Sequence, residues 1–194
     1  MILAAGASSR MQQCKQLLPW GNTTLLGNSI TMAKATKAGY ILAVLGANAD
    51  KITKKTDLAG IDHIINPSWE SGLGGSLALG ASFLLERGKS FDGILIMLCD
   101  QPLIDTEYLN ILISHFRNSE KGIIATQYGN GTGVPAIFRS TYFSDLLGLN
   151  KDVGAKKLLA KYNGDVLIID PLGKAVDVDT FEDYQKLGRQ QFGP

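Results

Sequence analysis

The 194-residue sequence has few cysteines, no excess of charge of either sign and no long apolar run. Its two cysteines, Cys14 and Cys99, stand far apart without a CxxC motif, which favours a reducing compartment over a disulfide framework. The 19 basic and 18 acidic residues give a net charge of +1, whereas nucleic-acid and membrane-surface binders usually carry a basic excess. No segment resembles a signal peptide or a membrane span. We therefore expect a cytoplasmic protein that binds neither nucleic acid nor membrane.

Common catalytic signatures are also missing. The glycine near the start of the chain belongs neither to GxxxxGK[ST] nor to GxGxxG, so it does not indicate a Walker-type loop or a dinucleotide fingerprint. No Ser-His-Asp or Cys-His arrangement stands out, and the two histidines, His63 and His115, fall on a predicted strand and a predicted helix.

Strand-like apolar runs alternate with helix-like segments along the chain. Strands are predicted at Ile41–Leu45, His63–Ile65, Ile94–Leu98, Ile123–Thr126, Ala136–Phe138 and Val166–Ile169. Helices are predicted at Leu25–Ala38, capped by Gly39, and at Ser76–Glu86, Thr106–Arg117 and Thr180–Leu187. This alternation predicts one α/β domain over residues 1–194, with a mostly parallel, Rossmann-like sheet between two helical layers. Asn130-Gly131 favours a hairpin turn and predicts an antiparallel element there.

The first stretch with chemical potential is the loop that follows the opening strand. Small residues run from Ala4 to Ser9, and the cations Arg10 and Lys15 follow. Small residues let backbone N–H groups approach an anion, and the two cations suit phosphate oxygens. The alternative interpretation is a strand-to-helix turn with two solvated cations.

Two further stretches carry carboxylates. ILIMLCDQP ends a continuous apolar run with Asp100, and a carboxylate at the tip of a buried strand needs a cationic partner such as Mg²⁺. In KAVDVDTFEDY, Asp177 and Asp179 alternate with one valine and would face one side of an extended segment. Asp100 has a structural alternative, as a cap of the next helix or of a turn before Pro102. The spacing of Thr180 and Asp183 resembles a helix cap, so one acid of that stretch has a structural alternative too.

Five motifs in order carry a resemblance to a known family. They are LAAGASSRM with Lys15, LCDQP, GVPAIF, DVGAKKLL and DVDTFEDY. Together, from Ile2 to Tyr184, they resemble the MobA-like molybdenum-cofactor nucleotidyltransferases, and among these the MocA-type cytidylyltransferases. The resemblance implies a nucleotide-diphospho-sugar-transferase type of fold and Mg²⁺ as cofactor.

The resemblance also implies roles for individual residues. Arg10 and Lys15 would bind the triphosphate, and Asp100 and Asp177 would hold Mg²⁺. The nucleotide would lie against the opening loop and the INPSWESGLGGS segment, at Leu3, Ala4, Ala5, Gly6, Ser8, Asn66 and Ser76. The acceptor-side candidates are Pro135, Asp152 and Lys156. Gln12 stands where the family usually has glycine, and Lys156 where it has arginine.

The implied reaction joins a phosphate of molybdopterin or molybdenum cofactor to the α-phosphorus of CTP and releases pyrophosphate. Relatives with two alanines before the glycine, as in Ala4-Ala5-Gly6, resemble the cytidylyltransferases, so CTP is expected over GTP. Alternatives remain open: a guanylyltransferase on the same cofactor, a sugar- or alcohol-phosphate nucleotidyltransferase, or a non-catalytic chaperone serving a molybdoenzyme client. The GLGGS segment keeps a dinucleotide-binding oxidoreductase as a further alternative.

Overall fold

The computed structural model describes residues 1–11, 13–88, 90–150 and 154–193. Its strands are β1 (Ile2–Ala4), β2 (Pro19–Trp20), β3 (Thr23–Thr24), β4 (Leu42–Leu45), β5 (Asp62–Ile65), β6 (Gly93–Leu98), β7 (Ile123–Tyr128), β8 (Gly131–Arg139) and β9 (Val166–Ile169). Its α-helices are α1 (Leu25–Lys34), α2 (Ala49–Lys55), α3 (Leu73–Glu86), α4 (Thr106–Asn118), α5 (Phe143–Leu147), α6 (Ala155–Lys161) and α7 (Phe181–Phe192).

Seven of these strands form a mixed sheet in the order β5-β4-β1-β6-β8-β7-β9, while β2 and β3 form a separate hairpin. β8 runs antiparallel to β6 and to β7, and the remaining pairs of the large sheet are parallel. The predicted α/β class with an antiparallel element is therefore confirmed. The hairpin turn lies at Gly129 and Asn130, one residue before the predicted pair, because Tyr128 pairs with Gly131.

Helices cover both faces of the sheet, because successive strand residues point to opposite sides. In β1, Leu3 packs into the core beneath α3, α5 and α6, whereas Ile2 and Ala4 pack into the core beneath α1, α2 and α4. A third, smaller cluster joins the β2–β3 hairpin to α7 through Trp20, Val178 and Leu187. Within the described part of the chain, no helix has the length and apolar character needed to span a bilayer.

Three predicted helix ends are wrong by three residues or more. α3 begins at Leu73 rather than Ser76, and α7 ends at Phe192 rather than Leu187. The third, the end of α1, has an identifiable reason. α1 ends at Lys34, and Gly39 does not cap it. The Thr36 hydroxyl donates to the carbonyl of Ala33 at 2.7 Å, and the backbone N–H of Lys37 donates to Asn110 of α4 at 3.0 Å. These contacts divert the backbone before a further helical turn can form.

Candidate active site

The carboxyl ends of β1, β4 and β6 meet at one edge of the sheet, where ligands bind in open α/β folds. The opening loop follows β1 at this edge, and Gln16 holds it in shape. Its buried amide donates to the carbonyls of Ala4 at 3.0 Å and Gly6 at 2.7 Å. The Ser8 hydroxyl accepts from the backbone N–H of Lys15 at 3.2 Å, and Ser8 has a left-handed φ of 57°. Loop shape is thus imposed by side-chain bonds to the backbone.

The loop after β4 lies against the opening loop. The backbone N–H of Ala47 donates to the carbonyl of Ala5 at 2.9 Å. A Cβ at Gly46 would lie 2.6 Å from the Cβ of Trp69 and 2.8 Å from that of Ala5, so only glycine allows this approach. The methyl group of Ala5 is therefore buried between loops, whereas Gly6 is exposed, with open space beside its α-carbon.

Lys15 lies at the centre of a charged cluster. Its Nζ donates to Asp100 Oδ2 at 2.7 Å and to the carbonyl of Val178 at 2.9 Å, and it is 3.8 Å from Asp179 Oδ1. Only 14% of the Lys15 side chain is exposed, whereas 74% of Arg10 is. Arg10 NH1 is 3.7 Å from Asp179 Oδ2. The structure thus brings three predicted site residues together: Lys15 pairs directly with Asp100, and Asp179 links Lys15 to Arg10.

Burial and charge act on Asp100 and Lys15 in opposite directions. Burial raises the pKa of Asp100, and the Lys15 ammonium offsets only part of that rise. Burial also disfavours the charged ammonium, but the Asp100 carboxylate outweighs it and raises the pKa of Lys15. Lys15 therefore stays a cation at neutral pH, held beside a carboxylate that is costly to desolvate.

Asp100 retains an acceptor position that the protein does not fill. Its Oδ1 is buried and has no hydrogen-bond partner among the described residues. Gln101, the residue after Asp100, donates to Asp177 Oδ1 at 3.0 Å, and the charge of Asp177 contributes to the raised pKa of Asp100. The described residues contain no cluster of three or more His, Cys, Asp or Glu side chains that would hold a metal alone. The donor set suits Mg²⁺, which takes one or two carboxylates and completes its shell with phosphates and water.

The interpretation of Asp100 as the cap of α4 is wrong, because Asp105 caps α4 by accepting from the backbone N–H of Tyr108 at 2.9 Å. The alternative for Asp183 is confirmed: it forms a capping box with Thr180 at the start of α7.

Residues 174–180, here named the C-terminal strap, cross the candidate site before α7. Val178 is fully buried, and its backbone N–H donates to the carbonyl of Asp100 at 2.8 Å. On either side of it, Asp177 and Asp179 turn to different partners. Asp179 faces Lys15 and Arg10, whereas Asp177 accepts from Gln101 Nε2 at 3.0 Å and from the Tyr128 hydroxyl.

The two predicted contacts for base and ribose are buried side chains bonded to each other. Asn66 Nδ2 donates to Ser76 Oγ at 3.0 Å, and Asn66 Oδ1 accepts from the backbone N–H of Ser68 at 2.9 Å. Asn66 is 4% exposed and Ser76 is 1% exposed. These hydrogen bonds give Asn66 and Ser76 a structural role, because they hold the connection between β5 and α3 at the same edge of the sheet.

The acceptor-side predictions lie in β8 and α6. Pro135 is buried, and its carbonyl accepts from the Thr126 hydroxyl at 2.6 Å. Lys156 is exposed in the first turn of α6. Asp152 and Gln12 lie outside the described residues. Neither Pro135 nor Lys156 has a contact here that joins it to the Lys15 cluster.

The sequence analysis missed four residues that shape the site: Gln16, Gln101, Tyr128 and Val178. Gln16 and Gln101 each directly follow a predicted site residue, and both are buried polar side chains. For Gln101, a polar residue just after an apolar strand is a weak sequence signal of a site residue. Tyr128 and Val178 gave no comparable signal, because their roles depend on long-range contacts.

Fold and site together define an α/β protein with cations and carboxylates at the carboxyl edge of its sheet. The MobA-like NTP transferase domain matches residues 1–166, and the chain belongs to this family. The predicted family membership is thus confirmed.

Individual relatives match over nearly the whole chain. The chain is 29% identical to the purine catabolism protein PucB of Bacillus subtilis, over 97% of this chain and 95% of PucB. It is 28% identical to nicotine blue oxidoreductase of Paenarthrobacter nicotinovorans, over 96% of this chain and 94% of that protein. The crystal structure of Rv0371c from Mycobacterium tuberculosis has 32% identity and a TM-score of 0.83, covering 96% and 94% of the two chains. A manganese complex of Rv0371c has 30% identity and a TM-score of 0.79, covering 96% and 95%.

Proposed function

We propose that the chain transfers CMP from CTP to the terminal phosphate of molybdopterin or molybdenum cofactor. The observation that carries this proposal is the cluster of Lys15, Asp100, Asp179 and Arg10 below an opening loop of small residues. Family membership supports nucleotidyl transfer, and the motifs LCDQP, GVPAIF and DVDTFEDY support this acceptor.

In the proposed reaction, a phosphate oxygen of the acceptor forms a bond to the α-phosphorus, and the bond from that phosphorus to the bridging oxygen of the β-phosphate breaks. Pyrophosphate leaves with the electron pair. The attacking phosphate monoester is already ionised at neutral pH, so a strong general base is not required. Catalysis then consists of aligning two anions and offsetting their charge.

In this proposal, different residues of the chain align the two anions and offset their charge. Arg10 is exposed and reaches the triphosphate with its planar fork, while Lys15 supplies a fixed positive charge beside Asp100. Gln16 holds the loop in which Gly6 leaves room for a phosphate. These groups are in position before substrate binds, which lowers the cost of reorganisation in the transition state.

Asp100 and Asp177 are the residues that we propose to hold Mg²⁺. Asp100 Oδ1 offers a buried acceptor without a partner in the described structure, and a relative of 30% identity has been crystallised with manganese. When bound, the ion would neutralise phosphate charge and polarise the α-phosphate.

A product assay tests the proposal. Purified protein is incubated with Mg²⁺, molybdopterin and either CTP, GTP, ATP or UTP, and pyrophosphate and product mass are measured. We expect pyrophosphate only when nucleotide and pterin are both present, and a product heavier than the pterin by one cytidylyl group, which is CMP less one water. Nucleotide binding without pyrophosphate would favour a chaperone, and turnover with sugar or alcohol phosphates alone would favour the related nucleotidyltransferases.

Base preference is the finer part of the proposal. Ala5 is buried against Gly46, so its methyl group sets the spacing of the two loops that border the nucleotide site. A difference of one methyl group in a pocket changes specificity by about 10- to 200-fold. We expect kcat/KM for CTP to exceed that for GTP by at least about tenfold, measured with both nucleotides in competition. A mainly guanine product would leave the reaction class standing and overturn the cytidylyl assignment.

The name of one relative, nicotine blue oxidoreductase, supports a second candidate, the dinucleotide-binding oxidoreductase. The GLGGS segment does not strengthen it. Gly72, with φ of 100°, is the N-cap of α3 and follows a 3-10 turn at Trp69–Ser71, so the glycines do not directly follow a strand. Oxidation of NADH or NADPH with a quinone-like dye, without pyrophosphate release in the product assay, would favour the oxidoreductase.

A further inference from the structure

Asp177 is held through both oxygens of its carboxylate. The Tyr128 hydroxyl donates to Oδ2, and Gln101 Nε2 donates to Oδ1 at 3.0 Å. A carboxylate oxygen has two acceptor positions, so each oxygen keeps one free after this bond. The two donors fix the plane of the carboxylate and still leave it able to bind a cation.

Gln101 is itself fixed by the fold. It is 2% exposed, and its Nε2 also donates to the carbonyl of Val134 at 3.1 Å. Both bonded partners are pure acceptors, which determines the orientation of the amide. Its Oε1 is buried and has no partner among the described residues. Gln101 thus joins the strand end that carries Asp100 to both Asp177 and β8.

A bulge in β8 provides the carbonyl that Gln101 uses. Ala125 pairs with Ala136, but Thr126 pairs with Gly133, so Val134 and Pro135 bulge out of the β7–β8 ladder. Bulges often re-aim groups next to active sites. Here the bulge directs the Val134 carbonyl to Gln101 rather than to β7.

Tyr128 is positioned by the same hairpin. It is the last residue of β7, and a Cβ on Gly133 would be 3.4 Å from its ring. Since the ring packs along β8, the location of the hydroxyl is set by the hairpin and not by the C-terminal strap. Of the two donors to Asp177, Tyr128 therefore belongs to β7 and Gln101 follows the end of β6, whereas Asp177 belongs to an irregular segment.

We propose that Gln101 and Tyr128 are positioning residues that orient Asp177 toward a divalent cation shared with Asp100. This inference rests on the proposed function, because it requires Asp177 to be the second carboxylate at the metal. Removal of a hydrogen-bond partner of a ligating group typically lowers metal affinity 10- to 100-fold.

Manganese binding tests the inference without turnover. The free Mn²⁺ signal is followed by electron paramagnetic resonance, with a non-hydrolysable analogue of the nucleotide that the product assay selects. We expect about tenfold weaker Mn²⁺ binding in Tyr128→Phe and in Gln101→Met. Tyr108→Phe is the matched control, because its buried hydroxyl donates to Thr126 at 2.9 Å and not to Asp177. It should bind Mn²⁺ as the unmodified protein does.

The Asp177→Asn variant distinguishes failure of the proposed metal site from failure of the proposed positioning role. Unchanged Mn²⁺ binding in Asp177→Asn would overturn the proposed metal site itself. Weakened binding in Asp177→Asn with unchanged binding in Tyr128→Phe and Gln101→Met would overturn only the positioning role. Tyr128→Phe should also add no further loss in the Asp177→Asn background, since the hydroxyl acts through that carboxylate. If Gln101→Met does not fold, as judged by circular dichroism, Tyr128→Phe decides alone.

Discussion

Lys15 supplies a cation beside one oxygen of Asp100, Oδ2, and leaves Oδ1 without a partner among the described residues. Its ammonium is shared between Asp100, the Val178 carbonyl and Asp179, and little of it faces solvent. The lysine thus offsets part of the cost of burying this carboxylate before any ligand arrives. It also ties the opening loop to the C-terminal strap, so its removal affects two elements together.

Asp100→Asn preserves the shape of the side chain and removes its charge. We expect kcat to fall by about two orders of magnitude or more, because a main electrostatic group at the reacting phosphates is lost. Circular dichroism should remain that of the unmodified protein. Steady-state pyrophosphate release at saturating Mg²⁺ measures the effect, and near-normal turnover there would contradict the assigned role.

Arg10→Lys and Lys15→Ala should differ in their effects. Arg10 is exposed, so its replacement should leave stability unchanged and lower kcat/KM, since lysine cannot copy the bidentate fork. Lys15→Ala should reduce nucleotide affinity and also lower the melting temperature, because it leaves Asp100 unpaired near Val178. Titration calorimetry measures the nucleotide affinity, thermal melts measure the melting temperature, and steady-state pyrophosphate release measures kcat/KM. Equal melting temperatures for the two variants would show that the Lys15 contacts do not stabilise the fold.

For individual helices and strands, the pattern of apolar residues predicted the structure wherever the element is deeply buried. The continuous apolar run of β6 predicted a buried strand and placed Asp100 at its carboxyl end. The helices α2, α5 and α6 were missed, because each has only five to seven residues and few buried positions. In helices this short, the spacing of apolar residues does not distinguish a helix from a loop.

The candidate site was predictable only in part. Arg10, Lys15 and Asp100 lie in segments with strong local signals, and the structure brings them together. The contact of Lys15 with Val178 joins residues 163 positions apart, and the role of Gln101 requires a bulge in β8. No local propensity encodes either arrangement, since both arise from packing of distant segments.

Asp105 at the start of α4 should make stability depend on pH. Burial alone would raise its pKa, but the Lys174 ammonium and the backbone N–H of Tyr108 outweigh burial and lower it. A carboxyl with a lowered pKa in the folded state contributes stability above the unfolded value of about 4 and loses it as the pH falls further.

Asp105→Asn removes this titration and keeps an acceptor at the cap. The variant should be less stable near neutral pH by about 0.5 kcal/mol. The difference should shrink between about pH 4 and pH 2, as Asp105 in the unmodified protein becomes protonated. Urea unfolding at several pH values measures it, with Asp50→Asn on the exposed surface of α2 as control. A difference that grows on acidification would contradict the assignment.

For the molecule as a whole, the site is assembled from both ends of the chain. The family match ends at residue 166, yet Asp177, Val178 and Asp179 of the strap lie beyond it and contact the opening loop and β6. Relatives such as PucB match over nearly the full length, which includes this segment. A protein shortened to the matched region would lack half of the carboxylates that surround Lys15.

The shallow docking of α7 gives the strap a dynamic consequence. In α7 only Leu187 is buried, and Tyr184 and Phe192 pack on Trp20. Such a helix opens at a low free-energy cost and exchanges its amide hydrogens early. Val178 of the strap and Leu187 of α7 belong to the same hydrophobic cluster. A ligand that binds the strap should therefore also stabilise the folded, docked state of α7. Hydrogen exchange followed by mass spectrometry should therefore slow across residues 181–192 when nucleotide and Mg²⁺ are added, and unchanged exchange there would mean that the two ends of the chain act independently.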